Sequence, residues 1–145
     1  MFEHYTEKAR RVIFHARYAA SEFGSASIET EHLLVGLVRE AKPTVNLYLD
    51  SETNEESIRT QIESQTATRR KIPTSVDIPL SDECMRALAF AAEEAERMRQ
   101  DVIGAEHLFL GLLREESCIA AKMLRERGAE IETIRKKLSE SPPSG

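Results

Sequence analysis

The ten residues from Glu31 to Glu40, EHLLVGLVRE, return 75 positions later as EHLFLGLLRE, Glu106 to Glu115. Seven of the ten positions are identical, and the other three exchange one apolar residue for another. A match of that quality inside one chain marks an internal duplication, so both halves must fold into the same unit. At the same offset Thr6 falls on Ser81, Arg11 on Arg86, Ala16 on Ala91, Ala20 on Ala95, Phe23 on Met98 and Ile28 on Ile103. The set Ala9, Val12, Ile13, Ala16, Ala20, Phe23 has the spacing of one helix face, and its counterpart Cys84, Ala87, Leu88, Ala91, Ala95, Met98 keeps that spacing. The duplication therefore carries a buried helical stripe. Downstream, Ile58-Arg59 matches Ile134-Arg135 one position out of register, and the indel falls where Glu52-Thr53-Asn54 faces Gly128, which predicts a loop in each unit.

Thr6 reads as the cap of a first helix that stops at Gly24, and Ser81 followed by Asp82 and Glu83 repeats the start. Thr30 reads as the cap of a second helix over Glu31 to Arg39, a cap weakened in the second copy, where Ala105 takes its place. Gly36 and Gly111 fall in the middle of their helices, where glycine costs about 1 kcal/mol relative to alanine. Their recurrence predicts a close helix crossing that a side chain would block. Third helices are expected over Thr44 to Asp50 and Ile119 to Arg127, with Pro43 suited to the start of the former and Gly128 to the end of the latter. Fourth helices are expected over Glu55 to Ser64 and Glu130 to Ser139. The fold class is all-α: eight helices, a tandem duplication of a four-helix unit with pseudo-twofold symmetry. As domains, the reading is one unit of 1–145, with repeats 1–65 and 81–140, an extended linker 66–80 and a tail 141–145.

A chain of 145 residues suits one ordinary domain, and halves of about 70 residues would bury little alone, which favours a shared core. The net charge of −5, with acids and bases interspersed, offers no basic stripe for nucleic acid. No apolar run long enough for a membrane span and no signal-peptide layout is present, so the expectation is a cytoplasmic protein with no membrane partner. Two cysteines make neither a disulfide framework nor a metal site: Cys84 falls on the buried stripe, and Cys118 opens a third helix as a partly buried thiol. The four histidines show no ligand spacing, and no phosphate loop, nucleophile elbow or zinc motif occurs. No enzymatic activity, cofactor or metal is therefore expected.

The opening MFEHYTEKARRVIFHA, the two E-H-L-x-x-G-L-[LV]-R-E blocks, their spacing and the linker ending I-P-L-S resemble the N-terminal domain of the Clp ATPases, with the ClpC type most similar. The resemblance covers essentially the whole chain. It implies an all-helical duplicate that binds adaptor or substrate proteins and delivers them to a AAA+ ring and its protease. A second possibility it carries is a free-standing, monomeric regulator that docks on the Clp ring or protease, since no ATPase module follows. The chain departs from the family's Gly-Thr-Glu-His pattern, reading Glu29-Thr30-Glu31-His32 and Gly104-Ala105-Glu106-His107. Ala41-Lys42-Pro43 and Glu116-Ser117-Cys118 replace a glycine-rich segment of the family.

The resemblance further implies a ligand. In some ClpC domains each repeat holds a phosphorylated arginine, the block glutamate taking the guanidinium and the start of a first helix taking the phosphate. Glu31 and Glu106 match the glutamates, and Thr6 and Ser81 match the hydroxyls. A carboxylate accepts a guanidinium in a two-bond fork, and a helix N-terminus presents N–H groups to an anion. The plainer reading is that Thr6 and Ser81 only cap helices and that the glutamates only favour a helix's positive end. Retention of Thr30 favours the first unit as the better receptor. His32 and His107 are expected to pack inside and bond a backbone carbonyl. Arg39-Glu40 and Arg114-Glu115 read as ion pairs on the surface or between units. Phe2 and Tyr5 either staple the first helix to the core or, as the family's N-terminus does, join a partner-binding surface.

Overall fold

The computed structural model describes residues 2–66 and 69–140. The tail expected at 141–145 lies outside the described residues, as do Met1 and positions 67–68 of the linker. Eight helices follow in order among the described residues: α1 Glu7–Glu22, α2 Thr30–Glu40, α3 Lys42–Tyr48, α4 Glu55–Gln65, α5 Asp82–Arg97, α6 Ala105–Arg114, α7 Ile119–Glu126 and α8 Ile131–Glu140. The fold is all-α, with two isolated bridges as its only extended pairing among those residues.

The caps explain where the long helices begin. Thr6 Oγ1 accepts from the Ala9 N–H at 3.1 Å, and Ser81 Oγ accepts from the Cys84 N–H at 3.1 Å. Asn54 caps α4 through the Ser57 N–H at 2.8 Å, and Ser57 Oγ answers the Asn54 N–H at 3.0 Å. Gly24 carries α1 into its stop with φ 69°. Helix α3 starts two residues earlier than expected, because Pro43 fits the first turn rather than the residue before it.

Helices α2 and α6 form the buried centre, and the apolar stripes of α1 and α5 close over them. Both crossings are as close as the sequence predicts: a Cβ on Gly36 would strike the Val12 carbonyl oxygen, and one on Gly111 would strike that of Ala87. One hydrophobic cluster runs through both repeats, from Val12 and Leu34 to Phe109 and Leu124. From residue 69 the linker returns along α1, with a turn closed by the Val76 N–H on the Pro73 carbonyl at 3.0 Å: the Ile72 N–H donates to the Ser21 carbonyl at 3.0 Å, and Arg17 donates to the carbonyls of Thr74 and Val76.

The repeats are also tied by one polar clasp. Arg127, just past α7, donates to Gln61 Oε1 at 2.7 Å and to Thr53 and Ser57 of the first repeat. Its carbonyl accepts from the Asp50 N–H at 2.9 Å.

Candidate functional site

The segments leading into the helices cross between repeats. Tyr5 bridges Ile103, and Ile28 bridges Leu80, both in parallel. Thr6 N–H donates to the Ile103 carbonyl at 3.0 Å and the Ile103 N–H to that of His4 at 2.8 Å. In the other half the Ser81 N–H donates to the Ile28 carbonyl at 3.0 Å and the Ile28 N–H to that of Pro79 at 2.7 Å. Ile103 stands three residues before Glu106, and Ile28 three before Glu31. The backbone pairing therefore brings the start of α1, with Thr6, to the start of α6, with Glu106, and the start of α5, with Ser81, to the start of α2, with Glu31. A site contained within each repeat, Thr6 with Glu31, is not what the chain builds.

Both glutamates sit in the first turn of a central helix and are nearly enclosed, Glu31 with 6% and Glu106 with 7% exposure. Burial raises the Glu31 pKa, and the like charges of Glu29 and Glu83 add to it. Glu83 belongs to the first turn of α5, which is the helix that Ser81 caps. Glu106 lies beside Tyr48, whose pKa is raised by burial and then by that carboxylate. Thr6 and Ser81 are confirmed as helix caps, so their hydroxyls accept backbone N–H groups at the same helix starts that would face an anion. Tyr5 is a core residue with 7% exposure, and Phe2 packs half-buried on it with ring centroids 5.0 Å apart.

Thr30 is not the cap of α2. It is the first helical residue, and Glu29 holds the cap position. The reason is His32, whose Nδ1 accepts the Glu29 N–H at 2.9 Å, as His107 Nδ1 accepts the Gly104 N–H at 2.8 Å. Each histidine thus acts as an acceptor for an N–H at the helix start, and not as a donor to a carbonyl. That role requires a neutral ring, and burial lowers both pKa values to about 4. Cys118 is wholly buried, and its sulfur caps α7 by accepting the Ala121 N–H at 3.3 Å.

The Arg-Glu pairs of the repeated block do not bond to each other or across units. Glu40 takes Arg11 at 2.6 Å and His15 at 3.1 Å, and Glu115 takes Arg86, so each glutamate ties its helix to the first helix of its own repeat. Arg114 turns instead to Glu93 and Glu94 and stacks over Phe90 at 4.3 Å.

Two clefts were invisible to the sequence. One of about 300 Å³ is bordered by Phe23, Ser27, Glu29, Glu31, His32 and Arg69, and so opens onto the first-repeat glutamate. A larger one of about 950 Å³ lies in the second repeat over Phe90, Leu113, Ala129 and Ile131, with Arg114, Arg125 and Arg135 at its edge. Among the described residues no group of three His, Cys, Asp or Glu side chains is placed to hold a metal, and no helix is long and apolar enough to cross a membrane.

Fold and geometry together define a class, a helical tandem duplicate whose halves exchange their lead-in segments around a common core. The chain belongs to the family described as Clp repeat (R) N-terminal domain, whose family model matches residues 4–127 and again 79–143. The chaperone protein ClpC1, chloroplastic, of Arabidopsis thaliana is 37% identical over 136 residues, which is 93% of this chain and 14% of that protein. The chloroplastic ClpA homolog of Brassica napus is equally similar, and the chain spans 15% of its length. Among solved structures, the N-terminal domain of the chaperone ClpD from Arabidopsis thaliana matches with a TM-score of 0.75 at 24% identity, covering 94% of this chain and 92% of that one. The ClpV N-domain in complex with a VipB peptide matches with a TM-score of 0.72 at 14% identity, covering 95% and 86%. Those two likenesses speak to the fold.

Proposed function

We propose that this chain is a recognition module of a Clp AAA+ chaperone-protease system, binding substrate or adaptor proteins in the cytoplasm for unfolding and degradation. It performs no catalysis itself and is a monomer in isolation. Residues 1–145 act as one domain, repeats 1–65 and 81–140 joined by 66–80, since each site takes a group from both repeats.

The observation that supports the reading most is the twice-built pairing of a buried carboxylate with the start of a 16-residue helix. A phosphorylated arginine side chain has a group for each: guanidinium N–H donors for Glu31 or Glu106, and phosphate oxygens for the helix starts at Ser81 or Thr6. Family membership and the peptide carried by the ClpV N-domain point the same way. The half-buried Phe2, packed on Tyr5, supplies an apolar edge for a protein partner.

Calorimetry with a phosphoarginine peptide and its unphosphorylated twin tests this. The phosphorylated peptide should bind, and Glu106→Gln should weaken it by tenfold or more, since a charge-assisted hydrogen bond is worth about 1.5–3 kcal/mol. No heat at millimolar peptide with folded protein would remove phosphoarginine from the proposal.

A further inference from the structure

The two composite sites share their backbone and differ in charge. Next to Glu31 stand Glu29, at the start of α2, and Glu83, in the first turn of α5. The equivalent positions around Glu106 hold Gly104 and Lys8. Two further charged positions on the first helices are matched across the repeat, Glu7 with Asp82 and Arg11 with Arg86. At these two positions the Ser81–Glu31 site thus carries carboxylates, where the Thr6–Glu106 site has a glycine and an ammonium. Arg69 of the linker borders the Glu29–Glu31 cleft and offsets one of these charges, yet it also brings a guanidinium of the chain's own to the place a ligand's would take.

We propose that only the Thr6–Glu106 site accepts a phosphate-bearing guanidinium, and that Glu29 and Glu83 bar one from the Ser81–Glu31 site. The proposal rests on the phosphoarginine reading above. A phosphate at the Ser81 helix start meets the charges of Glu29 and Glu83 beside a nearly enclosed Glu31, where like charges repel more strongly than in water. At Thr6 the same helix start comes with Lys8, a point charge suited to phosphate. Thr30, which would favour the first repeat if it capped α2, has no such part: its hydroxyl faces the Ala120 N–H at 3.4 Å.

Calorimetry with free phosphoarginine should give one site per chain, lost in Glu106→Gln and kept in Glu31→Gln. The charge-swapped chain carrying Glu29→Gly and Glu83→Lys should give two. Glycine is tolerated there because Gly104 holds the same cap position in the other repeat. Glu83→Lys alone, a half-exposed change, should bring a second site into view about tenfold weaker than the one both changes restore. Two equivalent sites in wild type, or a single site lost in Glu31→Gln, would overturn the asymmetry and leave the phosphoarginine reading standing. A charge-swapped chain with wild-type circular dichroism that still binds one equivalent would overturn the assignment to Glu29 and Glu83. Binding by neither chain would overturn both proposals.

Discussion

In the first repeat Arg59 of α4 reaches Glu22 on α1 at 3.0 Å and Glu55 on its own helix at 2.9 Å. In the second repeat Arg135 of α8, at the equivalent position, holds Glu94 of α5 through two bonds of 2.9 and 2.7 Å. Glu94 is wholly buried and also receives Arg114 at 3.2 Å, whereas its counterpart in the first repeat is Ala19. The same arginine thus braces the same pair of helices against acids in different places. Duplicated positions persist where backbone geometry leaves no choice, as at the glycine crossings and the caps. Acidic partners have shifted, because several places on a helix can meet one long guanidinium.

The comparison breaks most severely at the glycines. Gly36→Ala and Gly111→Ala each force apart a backbone contact in which no flexible side chain can yield, and each should cost about 3 kcal/mol by chemical denaturation. A tolerated alanine at either site would mean that the two crossings are not equally close.

Glu94 should separate the repeats next. Glu94→Gln strips the charge from a carboxylate whose pKa burial would raise, but which Arg135, Arg97 and Arg114 hold below its ordinary value. Loss of that charge leaves Arg114 and Arg135 with only the exposed partners Glu93 and Glu132 and should destabilise by about 2–3 kcal/mol. Glu22→Gln in the first repeat removes a more exposed partner and should cost less than 1 kcal/mol. Equal effects from the two changes would show that the braces are energetically alike after all.

A further effect concerns pH and should be shared by both repeats. His32 and His107 have folded pKa values of about 4 against 6.5 for the unfolded chain. Between these values the unfolded state binds more protons, so stability falls as the pH drops below 6.5. The loss should reach about 1 kcal/mol per histidine by pH 5.5. Glu31 opposes it, since a raised carboxyl pKa makes the fold more stable on acidification. Denaturation midpoints at pH 7 and 5.5 test this, and His107→Asn should remove about half the difference. A flat profile would contradict the acceptor role of the two imidazoles.

Repetition made much of this fold legible. The stripes, the caps Thr6 and Ser81 and the glycine crossings each appear twice, and each has one physical explanation. The exchange of lead-in segments was not legible, because two identical units can pair their starts within or between repeats with the same sequence. Thr30 misled for a local reason: threonine is a good cap, but His32 takes the N–H of Glu29 and begins the helix one residue sooner. Glu94 and Arg127 occur in one repeat only, so a comparison of the halves passes over them. Glu29 stood out only as a departure, and Glu83 only as part of a helix start, until the crossing brought both near Glu31.

The crossing itself can be measured without any ligand, from amide shifts of the single variants Glu106→Gln and Glu31→Gln. Crossed sites predict that Glu106→Gln moves the amides of residues 6–9 and leaves those of 81–84 in place, while Glu31→Gln does the reverse. Glu106→Gln moving 81–84, with 6–9 unchanged, would contradict the shared construction of the two sites.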